Sequence, residues 1–170
     1  MNLFSDTEAL IYAIQAHSGH FRRNSRLPYI IHPIRVVDHL RHTKYSSSTF
    51  MIMSGYLHDV LEDTGYTLEN FPEEVQIMVK YLTKGEKESK VDAVNKLLEA
   101  PSYLQPELLL IKLADRYDNC FGDVGDFRER YIKREDVIES TRLLLKYAKF
   151  ENLDDEIIYD SLYRLFKHTN

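Results

Sequence analysis

Two potential metal ligands, His58 and Asp59, stand next to each other in Tyr56-Leu-His-Asp-Val-Leu-Glu-Asp-Thr64, and two further carboxylates, Glu62 and Asp63, follow within one turn. On a continuous helix His58 and Glu62 lie four residues apart and share a face. Asp59 and Asp63 form a second such pair about a quarter-turn round. Three carboxylates and an imidazole beside Val60 and Leu61 gain little unless a cation neutralises them. Deep burial without one would cost on the order of several kcal/mol or drive the pKa values apart. The competing reading is a solvated helix end, which needs no cation.

Two other segments offer matching groups. His32 sits in Pro28-Tyr-Ile-Ile-His-Pro33, where a histidine could equally serve as a helix cap. Asp115 follows the apolar run Leu108-Leu-Leu-Ile-Lys-Leu-Ala114, and Asn119 is four residues further on, on the same helical face. An aspartate on a core helix asks for a compensating partner. That partner is either an arginine, with Arg35 a candidate, or a cation. Taken together, His32, His58, Asp59 and Asp115 supply two imidazoles and two carboxylates from three separated helices. This mixed nitrogen and oxygen set suits manganese, iron or zinc better than calcium or magnesium.

A second kind of chemistry is written upstream. Residues 21–36 contain Arg22, Arg23, Arg26 and Arg35 and no acidic residue, in a chain of net charge −5. That asymmetry predicts a local anion site, since guanidinium forks suit phosphate oxygens and stack on bases. A solvated basic loop is the alternative.

The elements that must position these groups all read as helix. Asp6 is the expected cap of a first helix, with Leu10, Ile11, Ile14 and His17 along one side. Pro33 suits a helix start before Ile34, Val36, Val37 and Leu40. One helix is predicted from Thr49 to about Asp63, ended by Gly65, and Thr67 to Phe71 reads as a short helical turn. Pro72 opens another helix, with Val75, Met78, Val79 and Leu82 at helical spacing. Further helices are expected over Val91–Leu98, from Pro106 through the apolar run, and over about Asp136–Phe150 and Asp154–Lys167. The run Leu108–Ala114 is apolar nearly all round and marks a buried central helix. No segment alternates apolar and polar residues as a half-buried strand would. The expected fold is all-α, a bundle of about eight helices in a single domain over residues 1–170.

Composition bounds the function. The chain has 170 residues, 44% hydrophobic and 29% charged, which is ordinary globular composition. Its negative balance gives no reason to expect nucleic acid or an anionic membrane as a partner. Met1-Asn-Leu-Phe-Ser-Asp6 lacks the pattern of a signal peptide, and the lone Cys120 cannot close an internal disulfide. A cytoplasmic protein is expected.

The ordered blocks Ala16-His-Ser-Gly-His-Phe-Arg-Arg23, Pro28-Tyr-Ile-Ile-His-Pro33, Leu57-His-Asp-Val-Leu-Glu-Asp-Thr64, Leu82-Thr-Lys84 and Leu110-Ile-Lys-Leu-Ala-Asp-Arg116 with Asn119 resemble the hydrolase domain of the RelA/SpoT homologue family, within the HD phosphohydrolase superfamily. The resemblance runs from about residue 6 to residue 120. It implies that His32, His58, Asp59 and Asp115 hold one manganese ion, and that Glu62 and Asp63 orient and activate the attacking water. It further implies that Arg22 and Arg23 meet the guanine nucleotide and that Asn119 contacts its sugar. The activity implied is manganese-dependent removal of the 3′-pyrophosphate of guanosine 3′,5′-bis(diphosphate), ppGpp, the alarmone of the stringent response.

Departures are equally legible. The family's Arg-Leu-His-Asn is here Arg116-Tyr-Asp-Asn119, which turns a histidine into Asp118. Cys120-Phe-Gly-Asp-Val-Gly125 lacks the basic and threonine positions common there, a glutamine is replaced by His20, and the Ser-Gly turn before Pro-Tyr is Asn24-Ser-Arg-Leu27. These changes are expected to surround the nucleotide and leave the metal alone. His17 is open between a supporting role and packing. Two rival functions stay open: an HD phosphohydrolase acting on NADPH or a nucleoside monophosphate, and a non-catalytic alarmone-binding module.

Overall fold

The computed structural model describes residues 5–23, 25–122 and 126–167, apart from the side chains of 126–128. Residues 1–4, Asn24 and residues 123–125, read above for a signal peptide and for departures near the nucleotide, lie outside the described residues. Among the described residues the regular elements are all helices, with one isolated antiparallel bridge between Phe21 and Pro28. The fold is all-α.

Helix α1 (Asp6–Ala16) is capped by Ser5, one residue before the expected cap Asp6. Ser5 accepts from Glu8 N and Glu8 accepts from Ser5 N, a reciprocal capping box that Asp6 could not complete. The expected apolar side is also turned. Ala9, Ala13 and Ala16 are buried, whereas Ile11 and Ile14 are 50% and 46% exposed. Small residues on the inner face let α1 lie close on α3 (Thr49–Leu57). Helix α2 (Ile31–Leu40) buries His32, Val36, Val37 and Leu40 between α3 and the long α7 (Gln105–Phe121).

Where the spacing predicts one helix over 49–63, the chain forms two, α3 and the single turn α4 (Val60–Asp63). The interruption falls on His58 and Asp59, with Asp59 at φ −101°, ψ −3°, in the bridge region. Thr64, extended at φ −133°, ends α4 in place of Gly65. Residues 67–71 form turns and no helix. Helices α5 (Glu73–Leu82) and α6 (Lys90–Leu97) follow, the second capped by a Ser89–Asp92 box. Helix α8 (Asp126–Ile132) occupies a stretch with no predicted element. Helices α9 (Glu135–Phe150) and α10 (Ile157–Phe166) complete ten helical segments among the described residues.

Helix α7 is the axis of this arrangement. Leu108–Ile111, Leu113 and Ala114 are all buried, and α2, α9 and α10 pack round it. Gly55 sets how closely α3 meets α2, because a Cβ there would lie 2.8 Å from Leu40 Cδ1 and 3.0 Å from Val37 Cγ2. Both neighbours are fully packed core. Gly55→Val should therefore lower unfolding stability by about 1–3 kcal/mol or more through overpacking. A urea titration checks it: an unchanged midpoint would show that the interface has slack. No helix among the described residues is long and apolar enough to cross a membrane.

Candidate active site

Three elements converge around Asp115, inside α7. His32 enters from the first turn of α2, His58 and Asp59 from the break between α3 and α4, and Asp115 from the middle of α7. Ligand atoms of His32, His58 and Asp115 all lie within 4.8 Å of one another. Asp59 adds a carboxylate oxygen, Oδ2, 2.9 Å from His58 Nε2 and 3.6 Å from His32 Nε2. The Tyr29 hydroxyl donates to that same oxygen at 2.5 Å.

The two imidazoles are held alike. His58 Nδ1 is 2.8 Å from the Gly55 carbonyl oxygen, and His32 Nδ1 is 2.7 Å from Asp118 Oδ2. Both partners only accept, so each Nδ1 carries the proton and each Nε2 faces the cluster. His58 Nε2 is buried and, although close to Asp59, makes no hydrogen bond. An orphaned imidazole nitrogen beside converging carboxylates suits a shared cation, whose ligands at ~2.1 Å would themselves stand roughly 3 Å apart. The donor set thus fits a divalent metal.

Electrostatics agree. Burial disfavours charge throughout, yet the His32 pKa rises to about 9 because the Asp115 and Asp118 carboxylates outweigh desolvation. Asp115 is held well below the usual carboxylate range despite burial, chiefly by Lys112, whose Nζ lies 3.2 Å away, and by His32. Asp63, in contrast, is pushed up by burial and by the Asp59 carboxylate. The carboxylates thus favour positive charge at this point, which a divalent ion would supply.

The cluster floors one wall of a cavity of about 890 Å³. Glu62 and Asp63 line it, and Glu62 Oε2 accepts a hydrogen bond from Lys84 N at 2.9 Å. Arg22 and Arg23 line it too but differ in kind. Arg22 is 7% exposed, donates to Asn119 Oδ1 at 3.2 Å, and lies 5.7 Å from the centre of the Tyr29 ring. Arg23 is exposed on the cavity rim. Asn119 bridges inward, its amide donating to Asp115 Oδ1 at 2.6 Å. Eight of the nine sequence-derived candidates therefore line the cavity, and the ninth, His58, is buried against Asp59.

Three positions depart from expectation. Asp115 takes Lys112 and His32 as partners and no arginine. Arg116 instead crosses to α9, donating to the Val137 carbonyl, Ser140 and Thr141. Asp118, expected beside the nucleotide, is behind His32. His17 is buried with neither ring nitrogen hydrogen-bonded; burial holds its pKa near 4, and its ring packs 4.7 Å from that of Tyr29. Packing is its visible role. Lys90 and Arg134 also line the cavity, and no sequence motif marks them. The one usable signal was Lys90 directly after the capping Ser89, at the mouth of a helix.

Comparison with known proteins places the chain. No protein-family model matches it. It is 32% identical to the bifunctional (p)ppGpp synthase/hydrolase SpoT of Escherichia coli K12, over 94% of this chain and 25% of that protein. It is 35% identical to the guanosine-3′,5′-bis(diphosphate) 3′-pyrophosphohydrolase of Aquifex aeolicus, over 76% of this chain and 19% of that protein. The GTP pyrophosphokinase of Streptomyces coelicolor is 32% identical, over 86% and 19%. The chain thus spans about a fifth to a quarter of the length of these relatives. A solved structure of a metazoan ortholog of SpoT that hydrolyzes ppGpp shares the fold, with a TM-score of 0.70 and 24% identity over 94% of this chain and 93% of that one. With its motif blocks in order and these relatives aligned along most of its length, the chain belongs to the RelA/SpoT homologue family.

Proposed function

We propose that this chain is a manganese-dependent hydrolase that removes the 3′-pyrophosphate of guanosine 3′,5′-bis(diphosphate), giving GDP and pyrophosphate. It acts as one HD-type domain over residues 1–170, in the cytoplasm. The observation that carries the reading is a cavity that brings together members of the His/His/Asp cluster, an acidic pair and several cationic side chains. Relatives named as ppGpp 3′-pyrophosphohydrolases support the choice of substrate.

His32, His58, Asp59 and Asp115 would hold the ion, which when bound supplies Lewis acidity toward water and a phosphoryl oxygen. The remaining steps belong to the chain. Glu62 takes a proton from the attacking water and Asp63 helps hold that water in line. The water oxygen bonds to the phosphorus nearest the 3′-oxygen, the bond from that phosphorus to the 3′-oxygen breaks, and the 3′-oxygen takes up a proton. Pyrophosphate leaves as one unit. Arg22 and Arg23 face the guanine nucleotide, and Asn119, already tied to Arg22 and Asp115, meets the sugar. Lys90 and Arg134, which also line the cavity, suit the second diphosphate.

A nucleotide screen with manganese tests this, reading pyrophosphate against orthophosphate. Pyrophosphate from guanosine tetraphosphate is expected. Orthophosphate, or faster turnover of NADPH or a nucleoside monophosphate, would remove the alarmone reading. Binding without turnover would leave a sensor module.

Arg23 separates substrate binding from metal binding. It lies on the rim, apart from the cluster, so Arg23→Ala should raise the Michaelis constant about tenfold, the loss expected for one charged contact. Manganese affinity should not move. A normal Michaelis constant would take Arg23 out of the nucleotide site.

A further inference from the structure

We propose that Asp118 is the positioning residue for His32. Its carboxylate fixes the proton on Nδ1 and so presents Nε2 to the metal. This rests on the reading of His32 as a metal ligand. Asp118 is fully buried, and its Oδ2 stands 2.7 Å from His32 Nδ1. A carboxylate only accepts, so this contact dictates the tautomer and stops the ring from flipping. His58 reaches the same end through a backbone carbonyl, which carries no charge. His32 is the ligand with a side-chain carboxylate behind it, the kind of outer partner that orients a metal-binding ring.

The surroundings of Asp118 are built for this task. Arg22 Nη2 lies 3.8 Å from Oδ2 and Arg35 Nη1 lies 3.9 Å from Oδ1, so a guanidinium group stands near each carboxylate oxygen. Arg35 is itself anchored to the Gly122 carbonyl at 2.8 Å. Gly122 leaves the space that the carboxylate fills: a Cβ there would fall 2.2 Å from Asp118 Oδ1. Arg22 also faces the cavity and bonds Asn119, so one buried carboxylate touches both the metal side and the nucleotide side of the site. The departure from the family's Arg-Leu-His-Asn is therefore wired to the metal.

The test uses the full chain and manganese alone. Manganese affinity is measured by titration for wild type, Asp118→Asn, Asp118→Ala and Gly122→Ala, with folding checked by circular dichroism in chelator. Asp118→Ala should bind about 10–100-fold more weakly, the range for losing an outer partner of a ligating histidine. Asp118→Asn keeps an acceptor oxygen without the charge and should recover part of that loss. Gly122→Ala displaces the carboxylate without removing it and should also weaken binding. In zinc-loaded protein, the imidazole nitrogen spectrum should show His32 protonated at Nδ1, and Asp118→Ala should lose that fixed signature. A merely structural Asp118 would lower folding stability and leave affinity and tautomer unchanged, which overturns the proposal. His32→Ala with unaltered manganese affinity would remove the ligand assignment, and the proposal with it.

Discussion

His58→Ala and Asp59→Ala should each lose manganese binding and hydrolysis together. His58 is buried, its Nδ1 is committed to the Gly55 carbonyl, and its Nε2 has no hydrogen bond, so the ring has no other visible task. Asp59 Oδ2 reaches both imidazoles, 2.9 Å from His58 Nε2 and 3.6 Å from His32 Nε2. Removing a ligand should exceed the roughly 10–100-fold loss that follows from removing a ligand's outer partner. Metal content by atomic absorption and turnover of guanosine tetraphosphate read the two effects. Thermal unfolding gives an independent measure. A ligand present at 100 times its dissociation constant stabilises the native state by about 2.7 kcal/mol, so manganese should raise the wild-type midpoint and leave the variants' midpoints unmoved. Full activity in either variant, or in chelator-treated wild type, would sink the metal assignment.

The apolar run Leu108–Ala114 reads directly as the central helix because burial on all sides leaves no polar face to mislead. Residues His32, His58, Asp59 and Asp115 are legible as a set because buried charge of that density needs a partner, whatever the exact fold. The break at His58–Asp59 is not legible. His58 keeps right-handed helical backbone angles, Asp59 moves only as far as the adjoining bridge region, and neither is a proline or glycine that would mark the interruption. The face of α1 is misread for a different reason: hydrophobicity favours Ile11 and Ile14 for the core, but close approach to α3 favours alanines. Asp118 is the sharpest case. Its sequence neighbours tie it to the nucleotide, while one helical step in α7 turns it behind His32.

The same positions explain how one small site keeps its charges apart. Cations sit behind or beside each committed carboxylate: Lys112 at Asp115, and Arg22 with Arg35 at Asp118. Glu62 has only a backbone donor, Lys84 N, and an exposed position on the cavity. Facing the cavity beside the metal-ligand candidates, Glu62 is within reach of a water held there.

Glu62→Gln should therefore separate chemistry from metal binding. The amide oxygen can still accept from Lys84 N, so local structure should persist, and the substitution changes charge with almost no change in volume. It cannot take a proton from water. Turnover should fall by roughly 100-fold or more, the lower end of what a positioned base contributes. Because Glu62 lies outside the His32, His58 and Asp115 cluster, manganese content should stay near that of wild type. The Michaelis constant should change little, since the loss belongs to the transition state. Asp63→Asn provides the comparison: Asp63 is the acid that burial and Asp59 push toward its protonated form, so it is the weaker candidate for base, and its loss should cost less. A larger loss for Asp63→Asn would exchange the two roles. Metal loss in Glu62→Gln would make Glu62 a ligand, and wild-type turnover would leave it a tether for the Lys84 backbone.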